Sequence, residues 1–179
     1  MAASALGALS HKVLEGISMR VTRVVAECTA VVTAVLGLSL ATAGPAAAID
    51  PVSGDWHAYG NTNPISSSSS TWQCTATETI VPGVLTQVCA IRSSSGSSVQ
   101  TALIVRNNHS TLFFAEVGMH MHAAPNQTEG QLLGIWTCSS SGVAAQSWSV
   151  CFGQTLTHSG PVWAQADVNG DILGTSPSV

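Results

Sequence analysis

The sequence predicts an all-β domain, an antiparallel sandwich or barrel of about eight strands, preceded by an export leader. Apolar and polar residues alternate with a period of two after Ile49, and a helical period of 3.6 is weak there. Pairs of turn-forming residues separate the alternating runs. Four cysteines in the same part of the chain form an even set that suits two disulfides.

Residues 1–48 have the order of parts that defines a secretory leader. A short basic start at Met19 precedes an apolar run over 29–43, which a Gly-Pro pair and small alanines follow. We expect translation to start at Met19 and cleavage to follow Ala48, so that 49–179 forms one secreted, extracellular domain. An uncleaved anchor is the alternative, but the run is shorter than the roughly 20 residues that cross a bilayer.

The charge of the domain excludes several classes of partner. After residue 48 the chain keeps two arginines, no lysine and seven carboxylates, which gives a net charge of −5 with neutral histidines. Such a surface has no basic patch for phosphates, so we expect neither nucleic acid nor an anionic membrane as a partner. An extracellular protein or a glycan is the expected partner.

The cysteines Cys74, Cys89, Cys138 and Cys151 suit an oxidising compartment. Three pairings are conceivable, and the spacing favours Cys74 with Cys89 and Cys138 with Cys151. Each bridge would close a local loop worth roughly 3 kcal/mol on the chain-entropy model. Zinc binding by the four thiolates is disfavoured because no close pair of the C-x-x-C type is present.

An internal repeat is suggested by the tryptophans and cysteines. Trp72-Gln73-Cys74 is echoed by Trp136-Thr137-Cys138, and Cys89 and Asn107 have counterparts in Cys151 and Asn169. The recurrence in one order predicts two related four-stranded units, about 49–112 and 113–179.

The first unit reads as two hairpins. Its expected strands are Trp72–Thr79, Leu85–Arg92, Val99–Arg106 and Thr111–Met121. A Pro82-Gly83 turn joins the first two strands and brings Cys89 beside Cys74. A turn at Asn107-Asn108 joins the other two.

The second unit repeats this plan less clearly. Its expected strands are Leu132–Cys138, Trp148–Leu156, Val162–Val168 and Asp171–Gly174. Asn169-Gly170 is a favoured type I′ hairpin turn. The acidic residues around it resemble a calcium loop, but the glycine and glutamate that an EF-hand requires further on do not follow.

The strand that ends at His122 holds the one constellation with metal-binding chemistry. His120 and His122 project from the same strand face, roughly 6.6 Å apart along the strand, so both imidazoles could reach one divalent metal ion. Glu116 lies on that face too. Third ligands would have to come from loops, where the candidates are His57, His109 and His158. The alternative is two solvated histidines with no cofactor, because His-x-His alone is not diagnostic.

Exposed aromatic residues are the second candidate site. Trp72 and Trp136 stand two residues before bridge cysteines, where packing against a disulfide explains them. Trp56 and Tyr59 precede the first expected strand and are the better candidates for binding a ligand such as a glycan, with Trp163 next.

Three function classes follow from these observations. The first is a non-enzymatic extracellular binding or interaction module, because function on such scaffolds usually lies in loops and no catalytic motif is visible. The second is a metal-binding protein or metal-dependent enzyme that uses His120 and His122. The third is a secreted inhibitor or effector that presents a rigid, disulfide-closed loop to another protein.

Overall fold

The structure, a computed structural model, describes residues 49–124 and 130–179. The leader predicted over 1–48, with its start at Met19 and its cleavage after Ala48, lies outside the described residues. Within the described ranges every regular element is a β-strand. No helix there is long and apolar enough to cross a membrane.

Twelve strands are found in the described residues. They are β1 (Val52–Ser53), β2 (Asp55–Gly60), β3 (Thr71–Cys74), β4 (Glu78–Val81), β5 (Val84–Arg92), β6 (Ser98–Asn107), β7 (Phe113–Ala123), β8 (Gln131–Val143), β9 (Ser147–Phe152), β10 (Leu156–Thr157), β11 (Val162–Val168) and β12 (Asp171–Thr175).

The strands form two sheets that pack as a sandwich, which confirms the predicted all-β fold class. The five-stranded sheet has the order β1-β8-β7-β11-β12. The seven-stranded sheet has the order β2-β9-β6-β5-β3, with β10 added to β6 and β4 added to β5. All pairings are antiparallel except that of the short β1 with β8.

The main core lies between the sheets and follows from the period-two alternation of the strands. Every second residue of the central strands points inward and is fully or almost fully buried; these residues include Val84, Val88, Leu103, Val105, Ala115, Val117, Met119 and Met121. Burial of one such aliphatic side chain contributes roughly 1.5–3 kcal/mol. This layer therefore fixes which side chains face outward, where any binding site must lie.

Both predicted disulfides are present. Cys74 and Cys89 are directly opposite each other on β3 and β5, with Cα atoms 4.0 Å apart. The second bridge, Cys138–Cys151, joins β8 of one sheet to β9 of the other. One bridge thus links two neighbouring strands of one sheet, and the other links the two sheets of the sandwich.

Two predicted turns are also found. Val168 and Asp171 are paired across Asn169 and Gly170, whose φ angles of 52° and 86° are the two positive values that a type I′ turn requires. At the Pro82-Gly83 turn, Gly83 has a φ of 81°, which suits the second central position of a type II turn.

The hairpin predicted around Asn107-Asn108 is wrong. The strand β6 is paired with β5 and β9, whereas β7 belongs to the other sheet and is paired with β8 and β11. The chain crosses between the layers here. The side chain of Asn107 is fully buried, and its amide donates hydrogen bonds to the carbonyls of Thr111 and Val143. An asparagine that satisfies buried carbonyls at a crossing looks, in sequence, like one in a tight turn.

Two predicted strands are shorter than expected. The run Trp72–Thr79 is interrupted after Cys74, because the side chain of Thr75 accepts a hydrogen bond from the backbone N–H of Val88. The chain then pairs with β5 again as β4. The run Trp148–Leu156 ends at Phe152, and β10 forms separately against β6.

The proposed units 49–112 and 113–179 do not coincide with the two sheets. Strand β9, from the second unit, lies between β2 and β6 of the first. The two Trp-x-Cys segments also differ, because Trp136 is buried between the sheets while Trp72 is half-buried on an outer face. The internal repeat stays a prediction.

Candidate functional site

The outer face of the seven-stranded sheet carries an apolar cluster of its own. Cys89, Ile104 and Val150 are at most 1% exposed, although they point away from the interior of the sandwich. They are covered by half-buried side chains, namely Tyr59, Ile65, Trp72, Cys74, Trp148 and Phe152. Ile65 comes from the segment between β2 and β3, so this segment helps to cover the outer face of the sheet.

A cleft of about 270 Å³ opens in this covering layer. Three aromatic residues line it, and the indole of Trp72 meets the ring of Phe152 edge to face, with ring centroids 6.0 Å apart. The other lining residues are Pro64, Ser67, Ser68, Ser70, Ile91 and Gln100. We call this hollow, with Tyr59, Trp72 and Phe152 as its aromatic residues, the aromatic cleft.

Strand register explains how the three aromatic residues converge. Phe152 in β9 is opposite Asp55 of β2 and Ala102 of β6. Trp72 in β3, the edge strand on the other side of this sheet, is opposite Ile91 of β5. Residues distant in sequence are therefore brought together by the pairing of five strands.

The serine-rich rim of the cleft is held by local hydrogen bonds. The Oγ of Ser67 donates to the carbonyl of Pro64, and the Oγ of Ser68 accepts from the backbone N–H of Ser70. The backbone N–H of Ile65 donates to the side chain of Asn63. Local turns of this kind favour a particular backbone conformation of the rim, and a segment that is ordered in advance loses less entropy when a ligand binds.

The two ligand-binding residues predicted from sequence lie on opposite faces of β2. Tyr59 lines the aromatic cleft. Trp56 packs against the core between the sheets, and its indole N–H donates to the carbonyl of Ser139 at 2.9 Å. Trp56 is paired with Cys151 in the regular part of β2, whereas Tyr59 lies where the register of β2 against β9 shifts between Ala58 and Gly60.

A fourth aromatic residue, Trp148, lies further along the same sheet face. The guanidinium of Arg106 is positioned over its indole, 5.2 Å from the ring centroid. The side chain of Arg106 also donates hydrogen bonds to those of Asn61 and Asn108. The cation is thus held in place by neighbouring groups at the end of β6, away from the aromatic cleft.

The predicted histidine pair lies on the outer face of the five-stranded sheet. His120 is exposed, His122 is half-buried, and their ring centroids are 6.3 Å apart. The ring of His122 is stacked on Trp163, with centroids 4.2 Å apart and planes 7° from parallel. The other predicted residue, Glu116, is exposed on the same strand.

Two hollows on this face meet at Gly118 and Asp167. A hollow of about 160 Å³ beside His120 and Gln165 shares Gly118 and Asp167 with one of about 560 Å³ beside Glu116. The carboxylate of Asp167 lies over Gly118, where a Cβ would contact it.

Burial lowers the pKa of His122 below its ordinary value. A hydrogen bond with the backbone of Gly130 acts in the opposite direction, and the neighbouring His120 adds a smaller lowering effect. The neutral imidazole is therefore favoured in the folded protein.

The three candidate third ligands do not join the histidine pair. His57 is on the other sheet, with its ring 5.7 Å from that of Phe152. His109 lies against Gly83, and His158 lies beside Gly160. Among residues 49–124 and 130–179, no group of three His, Cys, Asp or Glu side chains could hold a metal ion. Metal binding by His120, His122 and Glu116 stays a prediction.

Sequence reasoning missed most of the aromatic cleft. Trp72 was assigned to the core because of its bridge cysteine, and it does contact the outer-face cluster that contains Cys74. Phe152 directly follows a cysteine and received no role. Strand alternation places Trp72 on the same face as Cys74 and Phe152 on the face opposite to Cys151, but neither relation shows that both residues lie on the same outer face.

Comparisons with known proteins give little beyond this geometry. No known protein family matches the chain, and no curated protein matches it. Among solved structures, the chain is similar to the crystal structure of DesR, a β-glucosidase from Streptomyces venezuelae in complex with D-glucose. The identity is 18%, and the match covers 62% of this chain and 15% of that one, with a TM-score of 0.31. So weak a likeness carries no argument about fold or function.

Proposed function

We propose that this protein is a secreted, non-enzymatic binding module and that the aromatic cleft is its binding surface. The single observation that carries the proposal is the cluster of three aromatic side chains on an outer sheet face, around a cleft of about 270 Å³. Aromatic side chains with large contact area and few rotatable bonds dominate the binding energy of many interfaces.

Export is part of the proposal. Its support is the signal-peptide pattern of 1–48 together with two disulfides, which fit an oxidising, extracellular setting. N-terminal sequencing of the protein recovered from the culture medium is expected to start at Ile49.

The rigid scaffold supports binding at this face. The bridge Cys74–Cys89 lies on the strand pair that carries Trp72, so the backbone two residues from this tryptophan is tied covalently to β5. A preorganised aromatic contact loses little conformational entropy when a ligand binds.

Binding can be tested with the indole N–H signals of the full chain in its oxidised form. All five tryptophans lie after residue 48, so each gives a separate reporter. Soluble neutral polysaccharides, acidic polysaccharides and peptide libraries serve as probes in two-dimensional NMR. We expect at least one probe to shift the Trp72 signal while that of Trp136, buried between the sheets, stays in place.

The control is Phe114→Ala on the outer face of the other sheet, where Phe114 is 62% exposed. This variant should bind every active probe with unchanged affinity. The proposal is overturned if no probe moves the Trp72 signal, or if Phe114→Ala removes binding.

A further inference from the structure

The polar groups around the aromatic cleft indicate which class of ligand it suits. We infer that the aromatic cleft binds a neutral oligosaccharide. This inference rests on the proposed function, because it names the ligand of the same site.

Uncharged lining residues are the first support. Among the described residues that line the cleft, none is an acid, a base or a histidine. The polar ones carry hydroxyl or amide groups: Tyr59, Ser67, Ser68, Ser70 and Gln100. A charged ligand buried here would lose hydration without gaining an ionic partner, which is costly. A ligand with hydroxyl groups loses less and can both donate and accept.

Several of these polar atoms have no partner within the described part of the protein. The Nε2 of Gln100 donates to the carbonyl of Gly153, which leaves its Oε1 as an acceptor. The hydroxyls of Tyr59 and Ser70 make no hydrogen bond with other described residues, and that of Ser68 accepts one but donates none. The cleft thus offers both donors and acceptors to a ligand, which is what a sugar ring with several hydroxyls requires.

The aromatic rings complete the match. A sugar ring presents apolar C–H groups on its faces and hydroxyls at its rim. The rings of Trp72 and Phe152 supply apolar contact area beside the serine hydroxyls, so one ligand can satisfy both kinds of group.

Long-range charge separates neutral glycans from acidic ones. The chain after residue 48 has two arginines against seven carboxylates. Acidic polysaccharides are therefore repelled by the domain as a whole and find no cation in the cleft. Neutral glycans carry no charge and are not repelled by the domain.

The experiment compares hexasaccharides of three charge types with the full, oxidised chain by NMR titration. Neutral glucan, mannan and galactan hexamers are set against oligogalacturonate and oligochitosan. In salt high enough to screen long-range attraction between oligochitosan and the acidic domain, at least one neutral hexamer should shift the Trp72 indole signal with a lower Kd than either charged oligomer.

Two variants examine the chemistry of recognition. Tyr59→Phe removes one hydroxyl and keeps the ring, so affinity for the neutral hexamer should fall about two- to tenfold. Trp72→Leu removes the flat ring and should lower affinity at least about tenfold. Since the Trp72 indole N–H is buried without a hydrogen-bond partner among the described residues, Trp72→Leu removes no hydrogen bond from the fold.

The outcomes separate this inference from the proposed function. If a peptide shifts the Trp72 signal and no neutral hexamer does, the binding module stands and the glycan inference falls. A lower Kd of either charged oligomer at the Trp72 signal in this screening salt, or unchanged affinity of Tyr59→Phe, overturns the inference as well. If nothing shifts that signal, both fall.

Discussion

The outer faces of the two sheets differ in how far their side chains are buried, although both sheets enclose the same core. The seven-stranded sheet buries Ile104 and Val150 on its outer face almost completely. On the outer face of the five-stranded sheet, the strands β7 and β11 present Glu116, His120 and Asp167 beside open hollows. Within the described residues, the two apolar clusters are the core between the sheets and the cluster on the seven-stranded face.

The difference arises from what covers each face. The segment between β2 and β3 places Pro64 and Ile65 over the seven-stranded sheet, and aromatic side chains fill the remaining space. Apolar residues on a sheet face contribute to stability only where other groups exclude water from them. The covered face can therefore hold a structured apolar cleft, while on the other outer face Ile172 and Phe114 stay exposed.

The largest expected effect concerns an isoleucine on each face. Ile104→Ala should lower the free energy of unfolding by about 2–5 kcal/mol, because Ile104 is 1% exposed within the outer-face cluster. Ile172 on the five-stranded sheet is 78% exposed, so Ile172→Ala should change the free energy of unfolding by no more than about 0.5 kcal/mol. Urea unfolding of the oxidised proteins measures both. Equal losses would show that the covering layer over Ile104 is not closed.

A pair of glycines sharpens the comparison within the five-stranded sheet. On the inner face, a Cβ at Gly134 would contact the indole of Trp136, which is only 2% exposed and cannot move aside. Gly134→Ala should therefore cost about 1–3 kcal/mol of unfolding free energy. On the outer face, a Cβ at Gly118 would contact the carboxylate of Asp167.

A carboxylate beside an open hollow can rotate into solvent, so Gly118→Ala should cost less than about 0.5 kcal/mol. Thermal unfolding of both variants at one pH provides the measurement. A larger loss for Gly118→Ala than for Gly134→Ala would mean that Asp167 is fixed in place and that the outer face is packed after all.

Much of the fold could be predicted from local pattern. The alternation of apolar and polar residues after Ile49 predicted strands with one buried side, which β7 has in Ala115, Val117, Met119 and Met121. The spacing of the cysteines predicted both bridges. These features depend on residues close in sequence or on chemistry with few alternatives. The turn at Asn169-Gly170 was found for the same reason.

Features that depend on distant pairing could not be predicted. The chain leaves β6 for the other sheet at Asn107, and only the presence of β9 at the second edge of β6 explains why β7 does not pair there. The aromatic cleft has the same origin, since Phe152 and Trp72 meet through β9, β6 and β5. Sequence patterns record which side of a strand is buried, but not which strand lies beside it.

The smallest expected effect is a dependence of stability on pH that comes from His122 on the outer face of the five-stranded sheet. Burial lowers the pKa of His122 from its ordinary value of about 6.5, so the unfolded chain binds more protons than the folded one just below that value. Stability should fall slightly as the pH decreases from about 7 through the lowered pKa. In His122→Phe the ring stacked on Trp163 is kept and the titration is removed, so the profile of unfolding midpoint against pH should be flatter.

A second variant separates burial from the neighbouring charge. Because His120 contributes only the smallest of the effects on His122, His120→Gln should raise the pKa of His122 a little and leave it below the ordinary value. Titration of the His122 ring signal by NMR measures this. If His120→Gln restores the ordinary pKa, the charge of the neighbour rather than burial sets it. The outer face of the five-stranded sheet would then be more open to water at His122 than its stack on Trp163 indicates.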